Sequence, residues 1–272
     1  MKATAVLFLC LASFCTGAQN IKLEPGKKIN STTTSTMNMD MGMAGGMAKI
    51  ESSTIAVIKI IGSDNNNYKA NHTITRLKIS QDGEGQSMSY DSDNKADTSS
   101  DIAKAMNTGI NEPTAVLIDK TDGTVKDASP EKPEETDNNP LAALMGGTQS
   151  ASTAAAAAFF VIPAGKKPGD KWVDSTSDKE MSAVKNYEFQ TVKDGIATVI
   201  QKAVTKGVME KEAEGAQFTI TMNGTSESTI LTNVQTGLVQ KNTTTASMEG
   251  TLDMMGQSLP LSMTLKSVSV FE

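Results

Sequence analysis

Residues 154–172, Ala154-Ala155-Ala156-Ala157-Ala158-Phe159-Phe160-Val161-Ile162-Pro163-Ala164-Gly165-Lys166-Lys167-Pro168-Gly169-Asp170-Lys171-Trp172, decide how the chain is divided. The alanines lose no side-chain entropy in a helix and favour one, and Pro163 stops it by removing a donor and clashing with the preceding turn. Pro168-Gly169 is turn chemistry, so Trp172, the only tryptophan, is expected to open a strand and to be largely buried. The stretch predicts a helix-turn-strand joint between two β halves.

After the joint, the pattern is strand and turn throughout. Tyr187 to Val192, Asp194-Gly195 and Ile196 to Val204 predict a hairpin, because Asp-Gly supplies the positive φ of a tight turn. Ala216 to Met222, Glu227 to Thr232, Leu238 to Met248 and Leu259 to Phe271 continue the series. Short turns between successive strands imply antiparallel pairing. Before the joint, Ile55 to Ile61 and Tyr68 to Ile79 flank a polar turn, Gln86 to Tyr90 follows, and Pro113 to Ile118 pairs with Thr124-Val125. Short helices are expected over Ser100 to Met106 and Leu141 to Met145, where Ser100 and Asn139 are capping residues. The expected class is mainly β (α+β): a curved antiparallel sheet or half-barrel with a few short helices packed on one face.

The N-terminus pairs Lys2 with an apolar run from Ala3 to Phe14, then Thr16-Gly17-Ala18 before Gln19. That is the pattern of a secretory signal peptide cleaved between Ala18 and Gln19, and the run is far short of the ~20 residues of a spanning helix. The organisation read from this is a signal over 1–18 and a single β-rich domain over 19–272. The domain comprises a first half (19–126), an acidic loop (127–139), the helical joint (140–172) and a second half (173–272). The location implied is secreted or periplasmic, with lipoprotein anchoring at Cys15 a lesser alternative, since Phe14 stands where a small residue is usual.

Both cysteines, Cys10 and Cys15, lie within the signal, so disulfides, thiolate metal sites and cysteine nucleophiles drop out together. A net charge of −6 and a single arginine, Arg76, argue against a nucleic-acid partner, which needs positive patches and bidentate forks. Aromatics at 4% leave few platforms for sugar rings, against a glycosidase. His72 is the only histidine and has no Gly-x-Ser-x-Gly context, so it reads as a surface strand residue. Asp91-Ser92-Asp93 only faintly resembles a calcium loop, with Lys95 at a ligand position. No cofactor, resident metal, catalytic group or transmembrane segment of the mature chain is expected.

Pro168-Gly169-Asp170-Lys171-Trp172 after Ile162-Pro163, the turn Asn233-Val234-Gln235-Thr236-Gly237, Ser89-Tyr90-Asp91-Ser92 and the Met-alternating first strand carry a resemblance. They resemble a family of secreted Bacteroidota proteins classed as a domain of unknown function. The resemblance implies a Gram-negative envelope location and a curved sheet with helices against its concave side, similar to the half-barrels of periplasmic lipoprotein and lipid carriers. It implies no activity.

Met37, Met39, Met41 and Met43 alternate with Asn38, Asp40 and Gly42, a period that puts all four on one face of a strand. Three functions fit such a stripe. Flexible methionines can line a concave pocket for an apolar small molecule or lipid. They can fill the core of a structural or interaction module of the envelope. Or, with Met47, they can offer soft thioethers to Cu(I), although side chains ~6–7 Å apart along one strand do not converge on one ion. The first reading is adopted, with a non-enzymatic role.

Overall fold

The computed structural model describes residues 21–40, 42, 46–83, 86–94, 109–128, 150–177, 180–213, 216–254 and 257–272. Twelve strands form one sheet: β1 (Lys28–Asp40), β2 (Met47–Ser63), β3 (Asn67–Gly83), β4 (Gln86–Asp91), β5 (Thr114–Asp119), β6 (Val125–Asp127), β7 (Lys171–Ser177), β8 (Met181–Lys193), β9 (Ile196–Ala213), β10 (Ala216–Asn233), β11 (Val239–Met254) and β12 (Gln257–Phe271). One short helix, α1 (Ala151–Ala156), is present among the described residues. The mainly β class and the antiparallel pairing agree with the sequence pattern.

The strand order is β6-β5-β3-β2-β1-β12-β11-β10-β9-β8-β7, with β4 attached to β3 outside that path. Each half of the chain is a meander, and the two meanders meet where β1 lies antiparallel to β12. The β8–β9 turn has the expected mirror-image geometry, with φ of 51° at Asp194 and 76° at Gly195.

The sheet buries one end of one face beneath the joint. We call that face the inner one. Ile29, Ile58, Ile60, Val116, Ile118, Val199, Ile230 and Phe271 lie on it under Ala155, Ala158, Phe159 and Ile162. Each fully buried aliphatic side chain contributes roughly 1.5–3 kcal/mol. The joint is tied to the second meander by a Phe159–Leu238 bridge, by Phe160 N donating to Gly237 O (2.8 Å), and by Thr232 Oγ1 donating to Phe160 O (2.9 Å). On the first-meander side, Ser152 donates through its amide and hydroxyl to the Asp127 carboxylate. Ile21 is wedged between turn glycines: a Cβ at Gly123 would lie 2.8 Å from its Cδ1, and one at Gly237 3.3 Å from its Cγ1. Both turns have positive φ, so glycine is required there on two counts.

Several expectations are corrected. The helix starts ahead of its alanine run because Ser150 caps it, accepting from Thr153 N, and it ends long before Pro163 because Phe159 is already paired with Leu238. Docking against the sheet overrides alanine's preference there. The stretches 216–222 and 227–232 are one continuous strand, β10, in which Gly224 stays extended between Thr205 and Met248. Trp172 is half-buried rather than largely buried, because β7 is an edge strand; its ring stacks on Tyr187 at 5.1 Å. The signal peptide expected over 1–18, the helices expected at 100–106 and 141–145, and most of the acidic loop lie outside the described residues.

Candidate functional site

Strand side chains alternate between faces, so the register assigns each residue to a face and aligns it in rows across the sheet. The middle of the inner face carries one uninterrupted polar row. Ser52, Ser35, Ser267, Thr244, Ser228 and Gln201 stand directly opposite one another on β2, β1, β12, β11, β10 and β9. Ser35 and Ser52 share a hydrogen bond of 2.7 Å, and Ser228 and Thr244 one of 2.8 Å. In the next row toward the joint, Thr33 and Ser269 share one of 2.9 Å. All of these except Ser228 are half-buried.

Beyond the polar row, away from the joint, the face turns apolar and rich in methionine. One row runs Ala48, Met39, Met263, Met248, Gly224, Thr205, and the next Leu261, Gly250, Met222, Gly207, Met181. Met37 and Met39 share the inner face as their spacing requires, and with Ile50, Leu261 and Met263 they form a second buried cluster, Met39 being only 2% exposed. Met41 and Met43 lie outside the described residues. Met47, the further thioether considered for a metal, is on the opposite face and 67% exposed, because the turn from β1 to β2 shifts it out of phase with Met37. The stripe in β1 drew attention, but Met181, Met209, Met222, Met248 and Met263 join the same end of the same face. No local pattern reveals them; only their inward parity within each strand does.

Methionines and glycines interleave there. A Cβ at Gly224 would lie 2.7 Å from Met248 Cγ and 3.5 Å from its sulfur, so Met248 is folded over Gly224. Met181 is folded over Gly207 in the same way, its Cγ 3.2 Å from the corresponding position. At Gly250 a Cβ would collide with the Thr221 carbonyl oxygen, so that position admits no side chain. A glycine within a strand permits close approach to the backbone, and a methionine can rotate away through unhindered torsions. The second meander thus presents shallow pits covered by adaptable side chains.

Charge is absent from the middle of this surface. Over Ile29–Met39, Ala48–Ile60, Ala197–Met209, Ile220–Thr232, Asn242–Leu252 and Leu259–Phe271, no inward residue is charged, while Lys49, Glu51, Lys59, Lys202, Glu227 and Lys266 point outward. Inward charged residues stand on the outer strands, Asp127 on β6, Asp174 on β7 and Lys185 on β8, with Asp174 directly opposite Lys185, and Lys120 and Lys166 lie over the rings of the inward Tyr68 and Trp172. Arg76 is engaged elsewhere, its guanidinium gripping Asp91 at 3.1 and 2.7 Å and reaching Asp93 at 3.2 Å. That pairing holds the Asp91 carboxyl below the usual range, the Arg76 hydrogen bond being the largest cause. An open depression of about 420 Å³ lies on the outer face, lined by Lys202, Val204, Thr225, Glu227, Thr245 and Ser247 and crossed by a Lys202–Glu227 ion pair.

His72 is not at the surface. It is 5% exposed on the inner face of β3, opposite Ile58 and Thr114, and burial pushes its pKa below 6.5. The joint-side core covers it, which a period-two reading of one strand cannot anticipate. Tyr187 is raised to about 12 by burial first and by the Asp174 charge second.

Residues 65–239 match a family of unknown function, DUF6263. The chain belongs to that family. No curated protein matches it. Among solved structures, one of lipid–protein interactions in lipovitellin aligns over 92% of this chain at 12% identity with a TM-score of 0.50, so the two share a fold. This DUF6263 chain spans 25% of the lipovitellin chain's length. An outer-membrane channel from Pseudomonas putida F1 aligns over 93% of this chain and 97% of its own at 8% identity, with a TM-score of only 0.26.

Proposed function

We propose that this DUF6263 protein is a non-catalytic, exported protein of the bacterial envelope that binds an apolar ligand on the inner face of its sheet, over the methionine–glycine zone of β8–β11. The observation that carries this is the combination of an inner surface free of charge over the middle of the sheet with Met248 and Met181 folded over Gly224 and Gly207. Apolar surface drives such binding, and movable methionines fit it to ligands of different shape. The lipid interactions named for lipovitellin, whose fold is shared, agree with this use of the sheet. The role, the export and the bacterial envelope location are parts of the proposal, the export resting on the N-terminal pattern and the envelope location on the resemblance to secreted Bacteroidota proteins.

Titration with the neutral apolar fluorophore N-phenyl-1-naphthylamine tests it. A saturable, blue-shifted signal that Met222→Lys abolishes without changing the circular dichroism spectrum is expected. No saturable signal from the folded protein refutes the reading and favours a purely structural module. A Cu(I) site is the weaker alternative. Met39, Met263 and Met248 do stand side by side on three strands, but the Met248 thioether lies over Gly224, 3.5 Å from the position a Cβ would take there. Stoichiometric capture of Cu(I) from a competing chelator, lost in Met39→Leu and Met263→Leu, would reverse that ranking.

A further inference from the structure

The polar row and the methionine zone lie side by side on one face whose middle strands carry no charge beside them, and together they specify the ligand's chemistry. Along β1, Ser35 and Met39 are four residues apart, about 13 Å at the rise of a strand. A molecule lying along the strands would place a head at the hydroxyls and a tail over the methionines and glycines. Ser35 and Ser52 use one of their two protons to bind each other and retain a donor and vacant lone pairs between them, whereas Thr244 donates to Asn242 Oδ1 (3.5 Å) and accepts from Ser228, which leaves that pair with lone pairs to offer a donating head. Such groups recognise hydroxyl and ester oxygens. They do not neutralise a charge. An anionic head on this row would meet no inward cation on the stretches of the six central strands that flank it, and the inward cation of β8, Lys185, faces Asp174 across the β7–β8 pair. A buried, unpaired carboxylate or phosphate is strongly disfavoured.

We infer that the ligand is a neutral single-chain amphiphile, its hydroxyl- or ester-bearing head on the row Ser35–Ser267–Thr244–Ser228 and its acyl tail over Met248, Met222 and their glycines. The inference rests on the proposed apolar-ligand site and adds the class of molecule it takes.

Displacement of bound N-phenyl-1-naphthylamine by three molecules of equal chain length separates the possibilities. Monolaurin carries a neutral hydroxylated head, laurate at about pH 8 an ionised one, and dodecane none. Monolaurin is expected to displace the probe at a concentration about ten-fold lower than either of the others, the size of effect a lost head-group hydrogen bond gives. The double variant Ser228→Ala/Thr244→Val should bring monolaurin to the level of dodecane while leaving the affinity for the probe, and the melting temperature, within error. Laurate equal to or better than monolaurin overturns the inference, and so does dodecane equal to it, or a monolaurin preference that survives the double variant. In each of those cases the apolar site itself stands. If the probe never binds, the site fails and the inference falls with it.

Discussion

Replacing Gly224 by alanine should destabilise the protein only while Met248 is present. A glycine in mid-strand costs about 0.5–1 kcal/mol relative to alanine, so Gly224→Ala would stabilise β10 if the site were open. It is not open: the new Cβ would lie 2.7 Å from Met248 Cγ, and relieving such a contact by forcing a new rotamer costs about 1–3 kcal/mol. The net expected for Gly224→Ala alone is a loss of about 0.5–2 kcal/mol. Met248→Ala alone should cost about 1–2 kcal/mol, below the range for truncating a fully buried methionine, because the side chain is only half-buried. In the Met248→Ala background, the remaining close neighbour of the new Cβ is Ser247 O at 3.3 Å. Gly224→Ala should there become neutral or stabilising by up to about 0.5 kcal/mol. Urea unfolding of the four proteins, with m-values checked for constancy, should give a coupling energy of about 0.5–2.5 kcal/mol in favour of the double variant. Additivity within about 0.5 kcal/mol would mean that Met248 does not cover Gly224, and the adaptable pits would lose their basis.

Three further outcomes are expected. Thr232→Val removes the donor to Phe160 O from a side chain 0% exposed, and the orphaned carbonyl should cost about 1–3 kcal/mol in urea unfolding. His72 is neutral and buried in the fold, with a pKa lowered by desolvation, so the unfolded chain takes up its proton first on acidification. Its contribution is intact above about pH 6.5 and is lost as pH falls from there through the lower folded pKa, at up to about 1.4 kcal/mol per pH unit, a slope that His72→Gln should remove. Trp172→Ala should cost about 1–3 kcal/mol rather than the full range of a core aromatic, because the ring is half-buried and its main partner is the stacked Tyr187; a loss near 5 kcal/mol would show that the edge strand holds more of the core than its exposure suggests.

How far the sequence could be read depended on the range of each interaction. Asp194-Gly195 and the polar turn before Tyr68 set hairpins between neighbours in sequence, and local turn chemistry sufficed to find them. The seam between β1 and β12 joins residues more than two hundred positions apart, such as Met39 and Met263, and no local propensity encodes it. The methionine stripe of β1 was visible as a period of two, whereas its continuation through Met263, Met248, Met222 and Met181 exists only once that seam and the register on either side are fixed. The serine–threonine row was hidden for the same reason. Ser31 to Thr36 is a run of hydroxyl residues on both faces, and only the cross-strand partners single out Ser35 from Thr34 and Thr36. His72 and Trp172 were misjudged in opposite directions, since burial follows from what lies over a strand and from the strand's place in the sheet.

The reading that opposes a ligand is that the inner face is merely the packed interior of a structural module. On the joint side that reading is correct: Ile58, Ile60, Ile118 and Val199 lie under the joint and make a dry core. It accounts less well for the middle of the sheet. A packed interior selects apolar side chains, because an incompletely bonded hydroxyl removed from water costs free energy. Here six neighbouring strands each place a polar but uncharged residue in the same row, all but Ser228 half-exposed, and of the two cross-strand pairs in it that bind each other, Ser35–Ser52 has a proton to spare. A solvent-facing sheet selects charge as well as hydroxyls, and the outer face of these same strands does carry lysine and glutamate. A surface that admits hydroxyls and excludes charge, beside methionines resting on glycines, matches neither a dry core nor a bare sheet. It matches a surface that spends part of its time against something neutral, polar at one end and apolar at the other.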